Sequence, residues 1–137
     1  LEAARRSQVQ TVNFVWVCST VSEMQWLVPE LVNLEKIDTR NILNIRLYVT
    51  REKGPLPSLG LRHALTQGRP DWPFELTVGA KTLPAGSVMG VFFCGPASMA
   101  QAVRGAAAAA TAHSMHLDET AMVIQAHTRF VFFREVF

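Results

Sequence analysis

Cysteine is scarce in this chain of 137 residues, occurring only as Cys18 and Cys94. Two cysteines do not make a disulfide-stapled scaffold. Both stand in apolar runs that read as strands, so they are expected as free thiols of a reducing compartment. Long apolar runs are missing as well. No stretch approaches the roughly 20 residues that span a bilayer, and residues 1–10 lack the apolar centre of a signal peptide. Basic residues are not concentrated anywhere. Ten of the thirteen are arginines, scattered along the chain, and the formal net charge is +2. Neither a nucleic-acid footprint nor a basic amphipathic helix for a membrane surface is visible. Scattered arginines suit a phosphate-bearing small ligand, and they equally suit a solvated surface. A Walker-type phosphate loop and a G-x-S-x-G nucleophile elbow are both absent. His113-x-x-His116, with His127 further on, falls short of a complete zinc donor set, so no metal is expected.

What is present is the composition of a globular domain: 49% hydrophobic and 18% charged residues. Residues 1–8 are polar and helix-prone. Residues 12–18, nearly all apolar, read as a strand buried on both faces, as in a parallel sheet. Ser19 and Thr20 can cap a helix that begins after them. Met24, Leu27, Val28, Leu31, Val32 and Leu34 then recur at helical spacing, with Glu30 and Glu35 on other positions. That spacing predicts one amphipathic helix, kinked at Pro29. Residues 42–50 read as the next strand, which completes a right-handed βαβ unit. Gly54, Pro55, Pro57 and Gly60 predict a loop over 51–67 with at most a short helix. Residues 68–73 form a stiff turn segment, 74–81 a short helix, and Pro84 and Gly86 a further turn.

Residues 88–94 are another apolar strand, running straight into Gly95-Pro96. Residues 97–112 read as a helix with Met99, Val103 and Ala106 on one side. The five alanines at 106–110 belong to it, because alanine is the best helix former. Residues 114–126 read as an insertion, and 129–134 as the last strand. Trp16, Trp26 and Phe92 are expected in the core. The alternation predicts an α/β fold, a three-layer sandwich with a mostly parallel, Rossmann-like sheet.

An open parallel sheet binds ligands beyond the carboxyl ends of its strands. Three places therefore matter: Ser19-Thr20, Thr50-Arg51 and Cys94-Gly95-Pro96. In the last, glycine lets a ligand approach the backbone, and proline suits the first turn of a helix whose amino end attracts phosphate. A tight turn with a buried structural thiol explains the same tripeptide. In Gly68-Arg69-Pro70-Asp71-Trp72, an arginine sits between stiff residues and offers a planar fork to the 2′-phosphate of NADP; a surface turn with Trp72 packed inward is the alternative. The terminal Phe137 could stack on a flavin or simply anchor the chain end.

Taken in order, these segments resemble the C-terminal half of the NADPH oxidases and transmembrane ferric reductases. The resemblance rests on Phe14-Val15-Trp16-Val17-Cys18, Met24-Gln25-Trp26-Leu27 and Ile45-Arg46-Leu47-Tyr48-Val49-Thr50. It continues in Gly68-Arg69-Pro70-Asp71-Trp72, Gly90-Val91-Phe92-Phe93-Cys94-Gly95-Pro96 and the closing run 130–137. It covers nearly the whole chain apart from 53–66 and 113–127. It implies one NAD(P)H-binding domain over 1–137, in which NADPH gives a hydride to FAD held by a preceding barrel domain. Electrons then pass through haem in a membrane domain to oxygen, giving superoxide or hydrogen peroxide, or to ferric iron. The implied location is the cytoplasmic face of a membrane, with no membrane insertion by this segment.

By the same resemblance, Cys94 and Gly95 lie beside the nicotinamide, and Pro96 starts a helix whose amino end faces the nucleotide. Arg69 and Pro70 lie near the adenosine phosphate, Glu135 contacts the carboxamide, and Phe137 covers the flavin. Cys94 shapes the site and is not a nucleophile.

Three departures from the family pattern stand out. Its Gly-rich turn is absent, so the family's first strand and part of the pyrophosphate cradle are expected to be missing. Ser19 stands where an arginine commonly faces the 2′-phosphate, and Val136 replaces an asparagine in the closing tripeptide. The chain alone is expected to be inactive without a flavin domain. A nucleotide-binding regulatory module without turnover and a soluble flavoprotein reductase are the competing readings.

Overall fold

Valine, phenylalanine and tryptophan pack well on a pleated surface, and the two runs richest in them are strands. The computed structural model describes residues 9–81, 83–84, 86–116 and 128–135, with only the backbone for 112–116. The expected N-terminal helix at 1–8 and most of the insertion at 114–126 lie outside the described residues. The chain divides into two units, Leu1–Pro70 and Asp71–Phe137.

In the first unit, β1 (Val12–Cys18) runs parallel to β2 (Leu43–Val49), from Val12 opposite Leu43 to Cys18 opposite Val49. A two-residue β3 (Thr66–Gln67) pairs in parallel with the end of β2. It lies where the sequence predicts only loop, because two residues carry no periodicity to betray a strand. Between β1 and β2 the single kinked helix expected from the spacing is instead two: a four-residue α1 (Val21–Met24) and α2 (Val28–Ile37). Pro29 lies in the first turn of α2, where a missing N–H leaves no bond unmade. Val21, Met24 and Leu31 from these helices are buried against Ile45, Leu47 and Val49. Leu56, Leu59, Leu61 and Leu65 of the long loop pack on the same cluster.

The loop is held by polar residues that the helical pattern assigns to a solvated face. Glu35 is buried, and its Oε2 accepts the Arg62 amide at 2.9 Å. The Arg62 guanidinium donates to the Glu35 carbonyl at 3.0 Å, to Asn41 Oδ1, and to Asp38 at 3.5 Å. Asp38 also accepts the amides of Leu43 (2.9 Å) and Ile42 (3.2 Å).

The Leu43 amide above all holds the Asp38 carboxyl below its ordinary range. The Ile42 amide and the Arg62 guanidinium add to this, against an opposing push from partial burial. A depressed folded value means that the stabilisation is present above the unfolded value of about 3.9 and is lost as pH falls through the folded one. Asp38→Asn is therefore expected to flatten this part of the acid-unfolding limb. Thermal melts at descending pH check it, and an unchanged acid limb would contradict it.

The second unit begins with α3 (Trp72–Ala80), capped by Asp71, whose Oδ1 accepts the Phe74 amide at 3.1 Å. Then come β4 (Val88–Phe93), α4 (Ala97–His116) and β5 (Arg129–Arg134). β4 and β5 are parallel, with Val88 opposite Arg129 and Phe93 opposite Arg134. α4 covers one face of this pair. Ala100, Val103, Ala106 and Ala107 are buried against Val91, Phe93, Phe130 and Phe132, with Trp72 and Leu76 of α3 beside them. Part of the alanine run is thus helix pressed on a sheet. Thr111 ties the layers: its hydroxyl donates to the Ala107 carbonyl at 3.0 Å and accepts the Phe130 amide at 3.1 Å.

Among the described residues every strand pairing is parallel, as the α/β reading requires. Among the described residues β1-β2-β3 pair within the first unit and β4-β5 within the second. Apolar patterning identifies strands but does not name their partners. Burial of β1 on both faces does not hold, since Val12 and Phe14 are exposed, and in β4 Val88 and Phe92 are exposed as well. The expected core positions of Trp26 and Phe92 are corrected accordingly, at 73% and 80% exposed. Trp26 meets the half-buried Trp16 edge to face at 6.1 Å. Phe92 stacks on Phe133 of the next strand at 4.9 Å and 12°. Its ring lies back over Gly90, where a Cβ would come within 2.9 Å of it. Among the described residues no helix is long and apolar enough to cross a membrane.

Candidate functional site

β4 ends at Phe93, and the chain turns through Cys94-Gly95-Pro96 into α4. Opposite it, the Glu135 amide donates to the Phe93 carbonyl at 2.9 Å. This carries the parallel pairing one residue beyond β5 and sets Glu135 beside Cys94. Phe92, Phe93, Cys94, Phe133, Arg134 and Glu135 line an open cleft of about 530 Å³. Cys94 is exposed, so the buried structural thiol considered from the sequence does not hold. Gly95 adopts φ 156°, a region that side-chain-bearing residues rarely enter. A Cβ there would stand 3.0 Å from Cζ of Phe93.

Pro96 stands immediately before α4, and its carbonyl accepts the Ala100 amide at 3.0 Å. The amides of the first helical residues therefore have no partner within the helix, and they carry its partial positive charge. The cleft combines the Cys94 thiol, the Glu135 carboxylate and the Arg134 cation, and Gly95 and the amino end of α4 follow Cys94 in the chain. Such a set can take a flat ring bearing an amide, together with an anionic group. Sequence reasoning missed Phe92, Phe133 and Arg134 as lining residues, because the cross-strand register alone brings them there.

In the first unit a second group of candidates gathers at the carboxyl ends of the strands. The Thr50 amide donates to Cys18 O (3.0 Å), the Arg51 amide to Ser19 O (2.9 Å) and the Gly68 amide to Val49 O (2.8 Å). Ser19, Arg51 and Arg69 thus follow three adjacent parallel strands. Ser19 is half-buried, Arg69 exposed and Pro70 buried.

Two further carboxylates join them. Glu23 Oε2 accepts the Ser19 amide at 2.9 Å, and Glu52 Oε2 accepts the Val21 amide at 3.1 Å. Glu23, four residues after Ser19, has a local signal in its spacing from a helix start. Glu52 arrives from another strand end and has none. The Cys18 thiol is pushed up by burial first and by the Glu23 charge second.

Ser19, Arg69 and Pro70 therefore belong to the first unit, and Cys94, Gly95, Pro96 and Glu135 to the second. Phe137, expected over the flavin, lies outside the described residues, as do Val136, His127 and the side chains of His113 and His116. Among the described residues no group of three or more histidine, cysteine or acidic side chains could hold a metal.

No protein-family model matches the chain. NADPH oxidase 1 of Rattus norvegicus is 28% identical, over 74% of this chain and 21% of its own length. NADPH oxidase 4 of Homo sapiens is 29% identical over 69% of this chain and 18% of its own length. Dual oxidase of Drosophila melanogaster is 28% identical over 69% of this chain and 8% of its own length. The chain thus spans about a fifth or less of these curated relatives. With its parallel α/β units and this similarity, the chain is a sequence relative of the NADPH oxidases.

Proposed function

We propose that this chain is the nicotinamide-nucleotide lobe of a longer membrane flavocytochrome, and that its second unit positions the nicotinamide for hydride transfer to FAD. The observation that carries this reading is the cleft at the carboxyl ends of β4 and β5, lined by Cys94, Arg134 and Glu135, with Gly95 next to Cys94 in the chain. Its volume, about 530 Å³, lies within the usual range of small-ligand sites. Similarity to proteins named NADPH oxidases supports it.

The residues fit such a ring. The bare Gly95 backbone leaves room for close approach, and the exposed Cys94 thiol bounds one side. The Glu135 carboxylate accepts from the carboxamide N–H of the nicotinamide. Pro96 ends the turn and presents the amino end of α4 to the nucleotide. In the first unit, Ser19, Arg69 and Pro70 serve the adenosine side. Phe137 covers the flavin until nicotinamide arrives. A flavin in the adjoining domain supplies the hydride acceptor that can release electrons singly. Haem in a membrane domain would supply the onward route for electrons to oxygen or ferric iron, with this lobe on the cytoplasmic face.

The test is anaerobic mixing of the full-length protein carrying this chain with reduced nicotinamide nucleotide. Bleaching of the flavin's visible absorbance is expected. Nucleotide binding without bleaching would move the regulatory module ahead, and no binding of either nucleotide would end the proposal. The 137-residue chain without a flavoprotein is expected not to oxidise nucleotide steadily.

A further inference from the structure

We infer that the open face of the β4-β5 pair, where the rings of Phe92 and Phe133 stack, is the docking surface for the flavin-bearing domain of the parent protein. The inference rests on the reading proposed above and names the surface through which the flavin is brought to the cleft. Parallel strands are normally covered on both faces. Here α4, with α3 beside it, covers one face, through Val91, Phe93, Phe130 and Phe132. Alternation along the strands puts Val88, Gly90 and Phe92 of β4 on the other face, opposite Arg129, Val131 and Phe133 of β5. Val88, Phe92 and Phe133 are exposed there. Arg129, at the amino end of the pair, is the only charge among these six residues. Exposed apolar side chains grouped in this way mark an interaction surface.

The rings are held in place by the strands themselves. Phe92 stacks on Phe133 at 4.9 Å and 12°, and its ring folds back over Gly90, where a Cβ would stand 2.9 Å from it. Glycine weakens a strand interior and occurs where another group must come close. Gly90 thus gives the Phe92 ring the space that its stacked position needs.

Two observations choose the occupant. Phe92 and Phe133 line the cleft together with Cys94 and Glu135, so the apolar face is continuous with the proposed nicotinamide site. Hydride transfer needs donor and acceptor atoms about 3–3.5 Å apart, so the body that carries the flavin must close over the rim that these rings form. The second observation is length. About four-fifths or more of each relative lies outside the part that this chain matches, which is ample for such a body. Aromatic side chains are the usual anchors of an interface of this kind.

The experiment uses the full-length, flavin-loaded protein with photoreactive p-benzoylphenylalanine in place of Phe133. Irradiation is expected to give a cross-link at monomer mass, and peptide mapping should place its other end in the flavin-bearing domain. A cross-link to a second copy, to another part of this chain or to a membrane domain, or no cross-link, overturns the inference. The double variant Phe92→Ser with Phe133→Ser gives a second readout, and circular dichroism should show it folded, because both side chains are exposed. Its flavin reduction at saturating nucleotide is expected to slow about tenfold or more, the loss of an aromatic anchor, with the nucleotide Kd held within about twofold. Weaker nucleotide binding at an unchanged saturated rate would make the rings part of the nucleotide pocket, and no change in either would leave them without a partner; both outcomes overturn the inference. Flavin bleaching in the unaltered protein keeps the proposed function standing in all these cases. Without that bleaching the proposed function fails, and the inference falls with it.

Discussion

Gly95→Ala is expected to slow flavin reduction in the full-length protein about 100-fold, the effect of misplacing reacting groups by about 1 Å. Two facts combine at this position. The backbone holds φ 156°, and an L side chain in that region costs about 1–3 kcal/mol. The added Cβ would also stand 3.0 Å from Cζ of Phe93. Phe93 is buried against Ala100 and Val103, so its ring has little space to yield. The turn relieves both strains by moving, which carries Cys94 and the start of α4 with it. Stopped-flow flavin reduction reads the loss, and circular dichroism should show the variant still folded. A rate within a few-fold of the unaltered protein would remove Gly95 from the site.

The second large effect concerns stability and contrasts two neighbouring phenylalanines. Phe93→Ala is expected to destabilise the second unit by about 3–5 kcal/mol, the usual cost of emptying a buried aromatic site. Phe93 faces α4 and lies 6.3 Å from the Phe132 ring, which also receives Arg104 at 5.1 Å. Phe92→Ala should cost only about 0.5–1.5 kcal/mol, the worth of a stacked aromatic pair, because Phe92 is 80% exposed and its main partner is Phe133. Urea unfolding of both variants checks the contrast. Equal losses would mean that both faces of β4 are packed in solution.

Much of the local structure was legible because it depends on nearest neighbours. The strands at β1, β2, β4 and β5 follow from β-branched and aromatic runs, and α4 from alanine. α3 was expected over 74–81 and starts earlier, at Trp72, because Asp71 caps it and Pro73 fits its first turn. The Cys94-Gly95-Pro96 turn was legible because glycine and proline restrict the backbone on their own. Trp26, Phe92 and Glu35 were misread for a common reason. Periodicity assigns a residue to a face, while exposure depends on what covers that face. Trp26 and Phe92 have little over them, and Glu35 is buried because Arg62, from a distant loop, comes to meet it.

By itself the sequence determined the order of strands and helices apart from β3 and the break between α1 and α2, the α/β class, the parallel pairing and the likeness to the NADPH oxidases. Those properties reside in short-range patterns and in residue identity. Tertiary structure alone decided which strands share a sheet, which aromatic face stays open, and that the loop leucines seal the first core. It also decided that Arg134 and Glu135 meet Cys94 at one cleft. Glu52 shows why most clearly: it reaches the Val21 amide across 31 residues of chain, a contact set by strand register, and no local pattern encodes register between distant strands.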